Sequence, residues 1–268
     1  MNNLHRELAP ISEAAWAEIE GEAKRTLKRH LGGRKVVDVQ GPQGVNFSAV
    51  GTGHVAPIEA PAEGVQAVRR EVRVLAEFRA PFELSRTAID DVERGSLDSD
   101  WEPLKAAAKR IAFAEDRSIF DGYDAAGIRG IRQEASNTAI MLPTAVMDYP
   151  EAVAKAISCL KLAGVEGPYA LVLGQDAFTA ASGGSEEGYP VLEHLERLVD
   201  GGIVWAPGIA GGLLMSTRGG DFELDLGQDF SIGYQSHDDQ KVTLYLQESL
   251  TFRALTAEAA VSLELAKA

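Results

Sequence analysis

The sequence predicts an α+β chain, and three stretches carry that prediction. The first is a long helix marked at both ends, from Ser96 to Gly122. The second is a Val-, Gly- and Pro-rich β-arm from Val45 to about Glu77, with little core of its own. The third is the segment KVTLYLQESLTF, in which Val242, Leu244 and Leu246 alternate with Thr243, Tyr245 and Gln247. Alternation of that kind is the mark of a strand with one buried face.

Taken in order, Met1 to Pro10 is a polar arm, and Ser12 caps a helix reaching about Leu31. Trp16, Ile19, Ala23, Leu27 and Leu31 recur at helical spacing and share a face. Acids gather early in this helix and bases late, which suits the helix dipole. Gly32-Gly33 ends it, and RKVVDV (34–39) reads as a short strand before the turn-rich GPQG. In the β-arm, VQAVRREVRVLAEF alternates imperfectly. A lone two-stranded hairpin is marginal in water, so a neighbouring subunit is expected to cover it. Phe78 to Ile89 reads as strand and turn, and DDVERG leads into the long helix. That helix has a capping-box pair, Ser99 and Glu102, with Pro103 in its first turn and Gly122 as its stop. At about 1.5 Å per residue it is a rod of roughly 33 Å. Leu104, Ala108, Ile111, Ala112 and Ile119 form its apolar stripe, interrupted by Glu115.

After Gly122 the texture becomes an alternation of helix and strand. A helix is predicted over Glu151–Ala163, a buried strand at YALVL (169–173), and a Gly-rich acidic loop over 182–190. A helix at Val191–Val199 and strands at Ile203–Ala206 and Leu213–Thr217 follow. The segment 218–252 reads as β-structure, and the tail from Thr256 as helix or strand.

Composition narrows the function. The chain has 268 residues and a net charge of −14. That charge argues against nucleic acid, whose phosphates are neutralised by Lys and Arg, and against an anionic membrane surface. No stretch reaches the ~18 apolar residues of a membrane span, and no export signal opens the chain. The single cysteine, Cys159, excludes an internal disulfide framework and reads as a buried structural residue in a reducing, cytoplasmic setting. The histidines form no HxH or HExxH pair, and His237-Asp238-Asp239 reads as a solvated turn rather than a metal site. There is no nucleophile elbow, P-loop or dinucleotide fingerprint. No catalytic group, cofactor or metal is therefore expected, and the parts suit a subunit that tiles.

Six blocks then carry a resemblance. RKVVDVQGP (34–42), DDVERG (90–95), LAGVEGPYALVL (162–173), GYPVLEHLERLVDGG (188–202), RGGDFELDLGQDFSIGY (218–234) and LYLQESLTF (244–252) resemble the family 1 encapsulins, in the family's order. The resemblance implies the phage-capsid (HK97-like) fold. Residues 1–45 would be the N-terminal arm, helix and first strand of the P-domain, and 46–77 the E-loop. The spine part of the P-domain would be 78–122, the A-domain 123–217, and the closing P-domain β-structure 218–268. It implies a non-enzymatic shell protein that assembles with itself into an icosahedral cage of roughly 60 copies. Such a cage encloses a cargo enzyme, a dye-decolorising peroxidase or a ferritin-like protein, held by a C-terminal targeting peptide.

By the same resemblance that peptide docks on Leu27, Leu31, Arg34 and Asp38 on one wall and Asp229, Phe230, Ser231 and Ile232 on the other. Ordinary core packing is the alternative for Leu27, Leu31 and Ile232, and a local ion pair for Arg34 and Asp38. Ser185, Glu186, Glu187, Gly188 and Tyr189 match the loop that lines the five-fold opening. A ring of Glu186 and Glu187 there would concentrate cations and repel anions; a solvated surface loop is the plain alternative. The family's flavin-holding aromatic has no counterpart in Ser85-Arg86-Thr87-Ala88, so no flavin is expected. A hydrolase or secreted bacteriocin lacks its motif or signal here. A genome-packaging capsid sits poorly with the acidic balance.

Overall fold

The computed structural model describes residues 3–186 and 188–265. Helix α1 spans Glu13–His30, and the Ser12 Oγ accepts from the Ala15 N–H at 3.2 Å, which is the expected N-cap. Ala15, Ile19, Ala23 and Leu27 are buried along one face, with Leu31 just past the end, while Trp16 is half-buried. The strand expected over 34–39 is instead a 3₁₀ turn, Gly33–Lys35, followed by a short β1 at Asp38–Gln40. Close approach explains the difference. A Cβ on Gly32 would lie 2.6 Å from the Cβ of Ala206, and one on Gly33 would lie 2.5 Å from Cδ1 of Ile119. The two glycines let the backbone turn tightly against its neighbours.

The β-arm forms as expected. Strands β2 (Ala49–Ile58) and β3 (Ala67–Val74) pair antiparallel with each other. β4, Ala76–Ser85, leads back into the body. Residues Arg86–Glu93, expected as turn and linker, form helix α2. The spine helix α3 runs Glu102–Phe120, beginning later than the capping box required. Ser99 caps nothing, and its hydroxyl is buried without a partner. Asp100 takes the role, accepting the Glu102 N–H at 3.0 Å, while Glu102 turns to Lys105 at 2.8 Å. Gly122, at φ 92°, ends the helix as expected.

The alternating region contains α4 (Ile131–Glu134), β5 (Ile140–Leu142), α5 (Tyr149–Leu162) and β6 (Tyr169–Leu173). Helix α6 (Gln175–Gly183), which the sequence reading does not contain, is followed by the small hairpin β7 (Ser185–Glu186) and β8 (Tyr189–Pro190). Then come α7 (Val191–Leu198), β9 (Ile203–Trp205) and β10 (Gly212–Ser216). Cys159, expected to be buried, is only half-buried on α5, packed at the edge of the core. The chain closes with β11 (Phe222–Leu226), β12 (Ser231–His237), β13 (Lys241–Ala254) and β14 (Ala260–Leu265).

Two sheets organise these elements. In the first, β13 pairs with β4 on one edge. On its other edge it pairs with β12 over its first half and β11 over its second, and β1 flanks β11 in parallel. In the second, the order is β5-β14-β10-β6-β9. Residues 260–265 thus join the sheet of the alternating region rather than the sheet formed by 222–254. α1 and α3 pack over the first sheet through Ile19, Leu27, Leu104 and Ile111 against Leu244 and Leu246. β13 departs from the one-sided expectation. Tyr245 and Gln247 are buried as well, because Arg79 lies over the Tyr245 ring at 4.2 Å and donates to Gln247 at 2.6 Å.

Candidate functional site

Three elements converge on one groove. The C-terminal half of α1 supplies Ala23, Leu27 and Leu31, spaced by four and therefore stacked on one side. The cross-strand pair Ile232 and Leu246 adds to the lining from the first sheet. The loop before β12 contributes Asp229, Phe230 and Ser231, and the 3₁₀ turn contributes Arg34. The cavity measures about 540 Å³, within the usual range of ligand pockets. At one end the N-terminal segment closes it. Leu4 and Arg6 line it, the Leu4 carbonyl accepts from the Tyr234 N–H at 2.8 Å, and Arg6 pairs with Glu20 at 2.5 Å. Exposed Lys24 and Lys28 stand on the rim.

Two adjacent acids of the spine fix the turn that carries Arg34. The Asp116 carboxylate accepts from Gly33 N–H at 2.8 Å and from Gly32 N–H at 3.0 Å. Glu115 takes the Arg34 Nε at 2.9 Å and its Nη2 at 2.6 Å. Arg34 Nη1 reaches Asp229 at 2.8 Å, and the guanidinium lies 4.5 Å from the centre of the Phe230 ring. Burial pulls the Arg34 proton affinity down, but the Glu115 and Asp229 carboxylates override it and push it up. Arginine is thus a permanent charge joining the spine to the Phe230 loop.

Seven of the eight residues expected at the cargo site line this groove, and Asp38 does not. Its carboxylate accepts from the Gly220 N–H at 2.6 Å beside β11, so it is neither a groove residue nor the ion-pair partner of Arg34. The sequence reading did not assign the spine acids to the site. The available signal was Glu115 itself, a charge breaking the apolar stripe of α3. Asp116 carries a pH consequence. Burial pushes its carboxyl up to about 7, against the pull of the Gly33 and Gly32 N–H groups. A carboxyl raised on folding contributes stability that is complete below the ordinary carboxylate range and is lost as pH rises through about 7. Thermal melts between about pH 5 and pH 8 are expected to show a smaller fall with rising pH in Asp116→Asn than in the parent. The difference should amount to a few kcal/mol, and equal slopes would refute the assignment.

Of the residues expected at the five-fold loop, Ser185 and Glu186 lie in β7 and Tyr189 in β8, which pair antiparallel, and Gly188 has φ 86°. Ser185 and Gly188 are exposed, and Tyr189 is half-buried 5.0 Å from the Arg197 guanidinium. Glu187 and the Glu186 side chain lie outside the described residues. His237 accepts or donates one hydrogen bond with the Tyr234 hydroxyl at 2.7 Å, and Asp238 folds back on the Gln240 and Lys241 N–H groups. Among the described residues no group of His, Cys, Asp and Glu has metal-binding geometry, and no helix is long and apolar enough to cross a membrane.

Against known proteins, the family model described as encapsulating protein for peroxidase, Linocin_M18, matches residues 1–251. The type 1 encapsulin shell protein of Rhodococcus erythropolis is 60% identical over 98% of this chain and 100% of its own length. That of Mycobacterium tuberculosis is 57% identical over 98% and 99%. Among solved structures, the virus-like particle of Pyrococcus furiosus superposes with a TM-score of 0.63 at 17% identity, covering 93% of this chain and 99% of that one. The capsid of an empty GTA particle gives 0.53 at 14% identity, over 88% and 90%. The fold is therefore that of HK97-like capsid proteins, and the role is structural rather than catalytic. On the length and identity of these matches, the chain belongs to the type 1 encapsulin shell proteins.

Proposed function

We propose that the cage built from this chain is a cytoplasmic nanocompartment of roughly 60 copies that holds a cargo enzyme through a C-terminal targeting peptide seated in the Leu27–Phe230 groove. The single observation that supports this reading is the groove itself. Its lining from Ala23, Leu27, Leu31, Ile232 and Leu246 is aliphatic, open at the surface and bounded by charges of both signs. An extended peptide with small aliphatic side chains would bury those residues while its backbone met the rim. The peroxidase in the family model's description favours a dye-decolorising peroxidase as cargo, with a ferritin-like protein as the second candidate. Small molecules would pass at the five-fold openings, where Ser185, Glu186, Glu187, Gly188 and Tyr189 of neighbouring copies would form a ring. Co-expression of the shell with a peroxidase bearing or lacking its C-terminal peptide tests the reading. Loading is expected only with the peptide. Phe230→Asp, which places a charge in the apolar wall, should reduce loading at least tenfold while leaving particles visible by electron microscopy. Equal loading in the variant would remove the groove from the cargo site.

A further inference from the structure

We propose that Glu248 is a positioning residue of the groove: it carries a proton, and with Glu115 it locks Arg34 against Phe230 and so sets the shape of one groove wall. The inference rests on the groove reading above for its consequence, although the proton itself is argued from the buried cluster alone. Three carboxylates from three elements face one guanidinium: Glu115 of α3, Asp229 of the loop before β12, and Glu248 of β13. Both glutamate side chains are 0% exposed. Arg34 spends its short contacts on Glu115 and Asp229, leaving Glu248 Oε2 a long one of 3.3 Å. The other oxygen, Oε1, is buried with no donor.

Two ionised glutamates behind one arginine, whose charge is also shared with the more exposed Asp229, would leave excess negative charge in a dry site, which proteins avoid by neutralising a group. A proton on Glu248 resolves both problems. It removes one charge and turns an acceptor without a donor into a donor, with the neighbouring Glu115 carboxylate as the acceptor it would meet. The charged neighbours agree. Burial first, then the Glu115 carboxylate, hold the Glu248 carboxyl well above the usual carboxylate range; Asp229 adds to this and Arg34 opposes it. On β4, Phe78 lies opposite Glu248, while the charged Glu77 and Arg79 on either side pair with each other and face Ser249 and Gln247 across the ladder. Loss of this proton would draw the shared Arg34 Nη2 toward Glu248 and away from Phe230. Because the carboxyl is raised on folding, the tight wall belongs to acid and neutral pH and loosens as pH rises through the folded value.

The test uses full-length assembled particles without cargo. Phe230→Trp serves as a reporter, read against the Phe230 parent to subtract the native tryptophans, in an Asp116→Asn background that removes the carboxyl titrating at about 7 under the Arg34 turn, with and without Glu248→Gln. As pH is raised from about 6, the reporter emission is expected to move to the red in one step when Glu248 is present. That step should be absent in the Glu248→Gln background. The same step in both backgrounds overturns the proposal. Infrared spectra give a second reading once Asp116→Asn removes the other carboxyl held near neutrality. A protonated-carboxyl band at neutral pH that Glu248→Gln abolishes supports the proposal, and absence of the band before Glu248 is changed overturns it. Since no cargo is present, a failure here leaves peptide docking intact, and a failure of peptide docking leaves the proton assignment intact.

Discussion

Arg34→Ala is expected to lower the stability of the chain by about 3–5 kcal/mol, the usual effect of removing one partner from a buried ion network. Glu115 and Glu248 have no exposed side-chain surface and depend on the guanidinium rather than on water. The Phe230 loop would also lose its anchor at Asp229 and the cation stacked on its ring. Two further variants separate these effects. Arg34→Lys retains the charge but not the fork that grips Glu115 through two nitrogens, and should fall between the parent and alanine. Adding Glu115→Gln to Arg34→Ala removes the stranded charge and should recover part of the loss. Denaturant midpoints at one fixed protein concentration measure this, because assembly makes apparent stability depend on concentration. An unchanged midpoint for Arg34→Ala would mean that the network contributes nothing to folding.

That network also shows where sequence reading stops. Local signals with a local cause were legible: Ser12 caps α1, Gly122 stops α3, and the alternation at 242–247 is a strand. The groove was reached through similarity, and seven of its expected residues converge. Asp38 failed because its environment is decided by the Gly220 turn, more than 180 positions away. Helix α6 was missed because Gln175–Gly183 carries only two buried side chains, Ala177 and Ala181, which give a weak periodic signal. The strand at 34–39 looked right on β-branched content, yet the packing of Gly32 and Gly33 against Ala206 and Ile119 curls the chain instead. Glu115 and Glu248 make sense only when α3 and β13 are laid together, a contact no window along the sequence contains.

The largest effect on assembly is expected from the β-arm. On β3, Val68, Val72 and Val74 point to one face, and the ladder places Pro57 opposite Val68 and Ala49 opposite Val74. The three valines are 51–57% exposed, and Val55 and Ile58 on β2 are similarly bare. A two-stranded ribbon has no second layer of its own to cover such a face. If the cover is another copy of the same chain, as the cage proposed above requires, each valine buried between copies adds about 1 kcal/mol or more, repeated at every equivalent interface. Val68→Asp combined with Val72→Asp removes that gain and adds the cost of desolvating two carboxylates. Because the arm shares little of either core, the body should fold as before, with unchanged circular dichroism. Closed particles should fall at least tenfold in sedimentation and electron microscopy. Particles at the parental yield would show that the valine face is left in solvent and that assembly is driven from elsewhere on the chain.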